Sequence, residues 1–265
     1  MSGGAWMLVV LDDALPVKLN EMAGPLARAL RRVRYDVVAA LKNSPYIPFI
    51  DLDRRTAEAG ADYLTGAGIR AAAVSAGELP PPARIFTVHN LGLAQEGLKV
   101  QTDYAGKMSL LAWNGIEAFC LAVCSAVQST GGLGGSIDAE EEVMQMHLVF
   151  GAAAGIVPNW PVERAPTQSR TEVFALMTLM PRGAEVEIRV RADQMNYECL
   201  GGKLTRDSRA NFHSLVTEIA GRVSGGRINL WASEFVRTGT LPAALPKARV
   251  DAYNRWFRLR ARLKL

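Results

Sequence analysis

Cysteine is scarce in this chain: Cys120, Cys124 and Cys199 are three in 265 residues. Thiols so few and scattered cannot form a disulfide framework, so a reducing cytoplasm is the expected compartment. Histidine is as sparse, and His89, His147 and His213 lie far apart with no Cys/His cluster near any of them. That excludes a spaced-ligand zinc site. In a strand Cys120 and Cys124 would share a face ~13 Å apart, and both are expected to be buried structural thiols. The chain also lacks a G-x-S-x-G elbow and any carboxylate pair beside a plausible acid–base partner. Its one glycine-rich loop, "GGLGGS" at 131–136, has no Walker lysine, and the "IDAEEE" after it would repel phosphate. The sequence therefore offers no catalytic residue, no cofactor-binding residue and no metal ligand, and the expected cofactor set is none.

Long uninterrupted apolar runs are missing too. The best candidate for a membrane span, Leu110 to Val127, carries Asn114, Gly115 and Glu117 near its middle. Each is costly or destabilising in hydrocarbon, so buried strands are the better reading. The opening "MSGGAWMLVVLDD" has no basic n-region, and its apolar run from Trp6 to Leu11 is too short for a signal peptide. What is present is a 49% hydrophobic composition with 21% charged residues, enough apolar material for a real core and against disorder. The net charge of +4 is unevenly placed. From Pro246 onward, Lys247, Arg249, Arg255, Arg258, Arg260, Arg262 and Lys264 face one acid, Asp251, so this stretch carries +6 and the rest of the chain −2. Such a distribution disfavours nucleic-acid binding by the body.

Residues 1–79 read as an α/β module. "WMLVVL" at 6–11 is a buried strand. Leu19, Met22, Ala23, Leu26, Ala29 and Leu30 recur at helical spacing, "YDVVAALKNSP" is a second helix, and "YIPFIDL" is a short strand broken by Pro48. Asp53 suits the N-cap of the helix "RRTAEAGADYLTGAG", and the strand "IRAAAV" completes a β-α-α-β-α-β order. With these features, Leu8–Val74 resembles the C-terminal domain of the bacterial ribosomal stalk protein. In that family a basic, glycine-bearing turn between the first two helices docks translation factors. Here the turn reads "RRVRYDV", with Arg31, Arg32 and Arg34 present and the glycines absent. The resemblance implies a compact interaction module whose candidate contacts are those three arginines, a solvated helix end being the other reading.

Three prolines at 80–82 mark a semi-rigid linker over 80–84. From Ile85 the period changes to two. "GLKVQTDYAGKMSLLAW" reads as strand, turn and strand, "GIEAFCLAVCSAV" as further strand, and "PRG" as the turn of a hairpin between Thr171–Met180 and Glu185–Arg191. In its second strand Val186, Ile188 and Val190 alternate with Glu185, Glu187, Arg189 and Arg191, which predicts one buried and one wet face. Phe212, Leu215, Val216, Ile219 and Val223 give the stripe of a helix over Ser208–Arg222, with Thr205, Asp207 and Ser208 competing for its N-cap. The segment before it, with Cys199 and two glycines, is expected to be the corner where sheet passes to helix. Strands closed by one helix, together with "GLKVQTDYAGKMSLLAWNGIEAF", resemble a bacterial pleckstrin-homology-like domain over 85–224. An irregular insertion at 128–170 interrupts it, and its Met144–Trp160 patch, Trp160 above all, is a candidate partner contact.

Residues 225–265 read as a connector followed by a basic aromatic helix. Arg249, Tyr253, Arg255, Trp256, Phe257, Arg258, Arg260 and Arg262 are its candidate docking residues. Four seats remain open for that helix: its own domain, a protein partner, an anionic membrane surface, or nucleic acid. The expected architecture is α+β, an α/β module followed by an antiparallel β-barrel or sheet domain closed by a C-terminal helix. The expected function is a non-enzymatic interaction or scaffold subunit, cytoplasmic or at the inner membrane face, that docks a larger protein assembly through its insertion and basic C-terminal helix. A small-molecule substrate is not indicated. The alternatives are an enzyme whose site assembles only in three dimensions and a nucleic-acid-binding accessory protein using the basic helix.

Overall fold

The structure, a computed structural model, describes residues 4–12, 19–101, 108–130, 168–223 and 227–263. Its first three strands, β1 (Trp6–Val10), β2 (Phe49–Leu52) and β3 (Ala71–Ser75), form an antiparallel sheet in the order β2-β1-β3. Helices α1 (Leu19–Leu30), α2 (Arg34–Asn43) and α3 (Arg54–Gly66) follow in the order the sequence predicts. Leu8 and Val10 of β1 meet Leu26 and Leu30 of α1, Val37 and Leu41 of α2 and Leu64 of α3 in one buried cluster. Pro25 lies inside α1, where it removes a backbone donor. The helix continues because Ala23, Leu26, Ala27 and Leu30 bury one continuous face. At Gly60 a Cβ would come within 2.6 Å of Leu30 Cδ2, so a larger residue there would require the Leu30 side chain to shift. Asp53 caps α3 as expected, accepting the Thr56 N–H at 2.9 Å and the Thr56 hydroxyl at 2.7 Å.

The second region holds β4 (Arg84–Thr87), β5 (Leu91–Leu93), β6 (Gly97–Gln101), β7 (Met108–Ala112), β8 (Ile116–Thr130), β9 (Gln168–Pro181) and β10 (Val186–Arg191). After them come α4 (Ser208–Ala220), α5 (Leu230–Thr238), β11 (Ala244–Pro246) and α6 (Lys247–Leu263). The strands form a five-stranded sheet, β11-β8-β9-β10-β4, and a three-stranded one, β5-β6-β7. Pairing is antiparallel in the hairpin and in the small sheet, whereas β4 joins β10 in parallel. Backbones run so close at the small sheet's edge that a Cβ on Gly97 would sit 2.4 Å from the Leu111 carbonyl oxygen. The molecule is thus α+β with a C-terminal helix, as its composition and patterning lead one to expect.

From Ile116 to Cys124 strand β8 is buried on both faces. Phe119 and Leu121 join Met177, Leu179, Ile188 and Val190 and the α4 residues Phe212, Leu215, Val216 and Ile219 in one core. Ala118 and Cys120 point the other way, to Tyr253, Trp256, Phe257 and Leu259 of α6 and to Met7 and Val9 of β1. Two covered faces account for the near-continuous apolar run "AFCLAVC" that mimics a membrane span. No helix among the described residues is long and apolar enough to cross a membrane.

The connector after α4 contains a helix that the sequence reading did not anticipate. Asn229 caps α5, and Gly239, at φ +67°, ends it. Fully buried Asn229 also binds β8: its Oδ1 accepts from Leu121 N–H (3.0 Å) and Ala232 N–H (2.9 Å), and its Nδ2 donates to Leu121 O (2.9 Å). Two compact units emerge, 1–124 with 174–265, and 125–173. Of the second, only 125–130 of β8 and 168–173 of β9 are described; the rest of the 128–170 insertion, Trp160 included, lies outside the described residues. So does the expected turn at Ala105–Gly106.

Candidate functional site

The arginines at the α1–α2 turn are held by the end of α1. Arg31 adopts φ +53°, the left-handed position that glycine usually fills at a helix C-terminus, and Arg32 N–H closes the turn on Ala27 O at 2.9 Å. Arg32 pairs with Asp51 at 2.8 Å and lies 5.9 Å from the Phe49 ring centroid. Arg31 and Arg34 stay exposed. Between and beside them, Val33 is 67% exposed and Tyr35 78%. The turn therefore presents two cations, Val33 and Tyr35 to solvent, with Arg32 in an exposed ion pair to Asp51 of β2.

The C-terminal candidates fall elsewhere. Tyr253, Trp256, Phe257 and Arg258 are buried in α6, which is seated on its own chain, one of the four seats the sequence left open. Trp256 stacks on Tyr46 with centroids 4.4 Å apart and donates its indole N–H to Val10 O at 2.6 Å. Trp231 stacks on Tyr253 at 4.4 Å. The surrounding arginines fasten the helix: Arg249 donates to Lys42 O, Arg255 to Pro80 O (2.6 Å), Arg260 to Leu11 O (3.3 Å), and Arg262 to Glu117 (3.3 Å) and Glu185 (3.1 Å). A role for the four buried residues in external docking would require them to leave the core.

Under α6 the middle of the face that alternation assigned to water is closed, while Glu185 stays exposed as expected. Glu187 and Arg189 are buried beneath the helix because α6 crosses the sheet there. Arg189 donates Nε (3.0 Å) and Nη2 (2.6 Å) to Glu187 and reaches Asp251 of α6 at 2.6 Å. Burial alone would draw the Arg189 guanidinium below its ordinary pKa, but the two carboxylates outweigh it and the net shift is upward. Arg258, 1% exposed, is less well compensated. It donates to Val186 O and meets Glu185 at 3.4 Å, its Nε has no partner among the described residues, and burial holds its pKa below the ordinary value. A guanidinium stays charged at neutral pH even so. These groups border a cavity of about 300 Å³ between the segment Pro80–Ala83, Ile85 of β4, and Asp251, Ala252, Arg255 and Arg258 of α6. Sequence reasoning missed this site. The E-x-E-x-R-x-R run of β10 was a legible signal, but nothing local says that a helix will cover it.

The thiols and His213 are packed within the fold, and His147 lies outside the described residues. Cys120 and Cys124 are buried, and burial pushes the Cys124 and Cys199 thiols up in pKa. His213 packs edge-on to Phe235 at 5.1 Å. Of the competing caps for α4, Asp207 takes the role, accepting from the N–H groups of Arg209 (2.8 Å) and Ala210 (3.3 Å). Among the described residues there is no group of three or more metal-ligating side chains. Comparison with family models, curated proteins and solved structures found no match for the chain.

Proposed function

We propose that this protein is a non-enzymatic, cytoplasmic interaction subunit that docks a larger protein assembly, and that the docking surface is the α1–α2 turn. The observation that carries this reading is the exposure of Val33 between Arg31 and Arg34 and of Tyr35 beside them, apolar and cationic groups together on a turn closed by the Arg32 N–H to Ala27 O bond. Aromatic and arginine side chains are the residue types enriched at interfaces, and here neither is consumed by the chain's own core. The basic helix α6 serves this reading as a staple that holds the module in place.

The test is the native mass of the full chain in a cell extract of its source, by size exclusion. Wild type is expected in a complex well above its 28.7 kDa, and Arg31→Glu/Arg34→Glu/Tyr35→Ala is expected to run free with an unchanged unfolding midpoint. A wild-type chain running alone, or a triple variant that stays in the complex, sinks the reading. Co-sedimentation with anionic vesicles that is lost in the same variant would move the docking surface to a membrane instead.

A further inference from the structure

We propose that the cavity between α6 and the β4 edge is a binding site for a small organic carboxylate with an apolar body. Strand β4 is the outermost strand of the five-stranded sheet, with Ile85 beside Glu187 in the parallel register. Glu187 and Arg189 lie beneath α6, whereas Ile85 is exposed, so the cavity opens where the helix stops short of the sheet edge. The proline segment forms its remaining wall. A volume of about 300 Å³ is at the lower end of the range for small-molecule pockets. That size suits a compact ligand rather than a folded partner.

The charge preference follows from what is already paired. Both acids lining the cavity are engaged, since Glu187 and Asp251 each accept from Arg189. Donors remain. Arg255 spends Nε on Pro80 O, and no acceptor among the described residues meets its two terminal nitrogens. Arg258 adds a buried positive charge to the lining. Three guanidinium groups and two carboxylates line the cavity; Arg258 also meets Glu185 at 3.4 Å, so Arg255 is the lining cation with no carboxylate partner among the described residues. A cation would compete with Arg189 for carboxylates it already holds. A carboxylate would take a charge-assisted, planar contact from the Arg255 fork, the strongest kind of hydrogen bond available here. Pro81, Pro82, Ala83, Ile85 and Ala252 supply the surface for the rest of the ligand. Proline's fixed φ holds that wall ready-formed, which lowers the ordering cost of binding.

Titration of the full, isotope-labelled chain with benzoate, followed by amide chemical shifts, tests this. Benzoate is expected to give saturable shifts centred on Ala83, Ile85, Ala252 and Arg255, benzamide to bind at least tenfold more weakly, and benzylamine to leave those amides unmoved. Arg255→Gln should weaken benzoate binding about tenfold with the unfolding midpoint retained, and Arg255→Lys should recover part of the loss. Ile85→Trp, at an exposed edge position, should fill the cavity and abolish binding. The proposal is overturned if benzoate gives no saturable shift at millimolar concentration, if benzamide binds as well, or if both Arg255→Gln and Ile85→Trp bind like wild type.

Discussion

Trp256→Ala separates a buried staple from a free docking helix. The side chain is fully buried, stacked on Tyr46 at 4.4 Å, with Arg260 5.2 Å from its ring centroid and its N–H on Val10 O. Truncating a buried tryptophan costs about 3–5 kcal/mol through lost transfer energy and the cavity left behind. Loss of the aromatic stack and of the hydrogen bond places this site near the top of that range. For a chain of this length each kcal/mol lowers the midpoint by roughly 2–4 °C, so the variant should melt about 10–20 °C below wild type. Trp256→Phe keeps a ring against Tyr46 and loses the donor to Val10, and should cost about 1–2 kcal/mol. Chemical denaturation of the full-length chains, followed by circular dichroism, reads both. If Trp256→Ala lies within about 1 kcal/mol of wild type, the side chain is not in the core and the seat of α6 is wrong.

Arg189→Met should destabilise by about 3–5 kcal/mol because it strands the Glu187 carboxylate under α6, and Arg189→Met/Glu187→Leu should recover most of that loss in the same denaturation assay. Asn229→Ala removes the partner of three backbone groups at Leu121 and Ala232. It should cost about 3 kcal/mol and speed hydrogen exchange at both amides, and wild-type protection at those amides would contradict the assigned role. Asp53 predicts a pH dependence. Hydrogen bonds from Thr56 hold its pKa below the ordinary 3.8, so its stabilisation is complete above that value and is lost as pH falls through the lower folded value. The wild-type midpoint should therefore fall more steeply below pH 3.8 than that of Asp53→Asn, and parallel curves would refute the cap's contribution.

What was legible in the sequence was local. The Asp53 cap, the α4 stripe from Phe212 to Ile219 and the "PRG" turn, with Gly183 at φ +70°, each rest on groups a few residues apart. Helix α5 carried its own signals in Asn229 and Gly239, but they were obscured by the prolines and glycines on either side. The wet face assigned to β10 failed at its middle for a different reason. Period-two alternation reports which residues differ in polarity, not whether a charged face will later be covered, and Glu187 and Arg189 are covered because they neutralise one another there.

By itself, then, the sequence determined the element types and their order in the N-terminal module and the mixed α+β character, because short-range spacing, capping and turn chemistry decide these. It also showed that positive charge collects after Pro246. Only the tertiary structure decided what that charge does. Residues Val10 and Trp256, or Arg189 and Asp251, are far apart along the chain, and no local pattern says that they meet. A basic helix bearing Tyr, Trp and Phe has the same sequence whether its apolar side lies on a membrane, a partner or its own sheet. Here the apolar faces of β1 and β8 were available within the chain, and α6 fills the space between them.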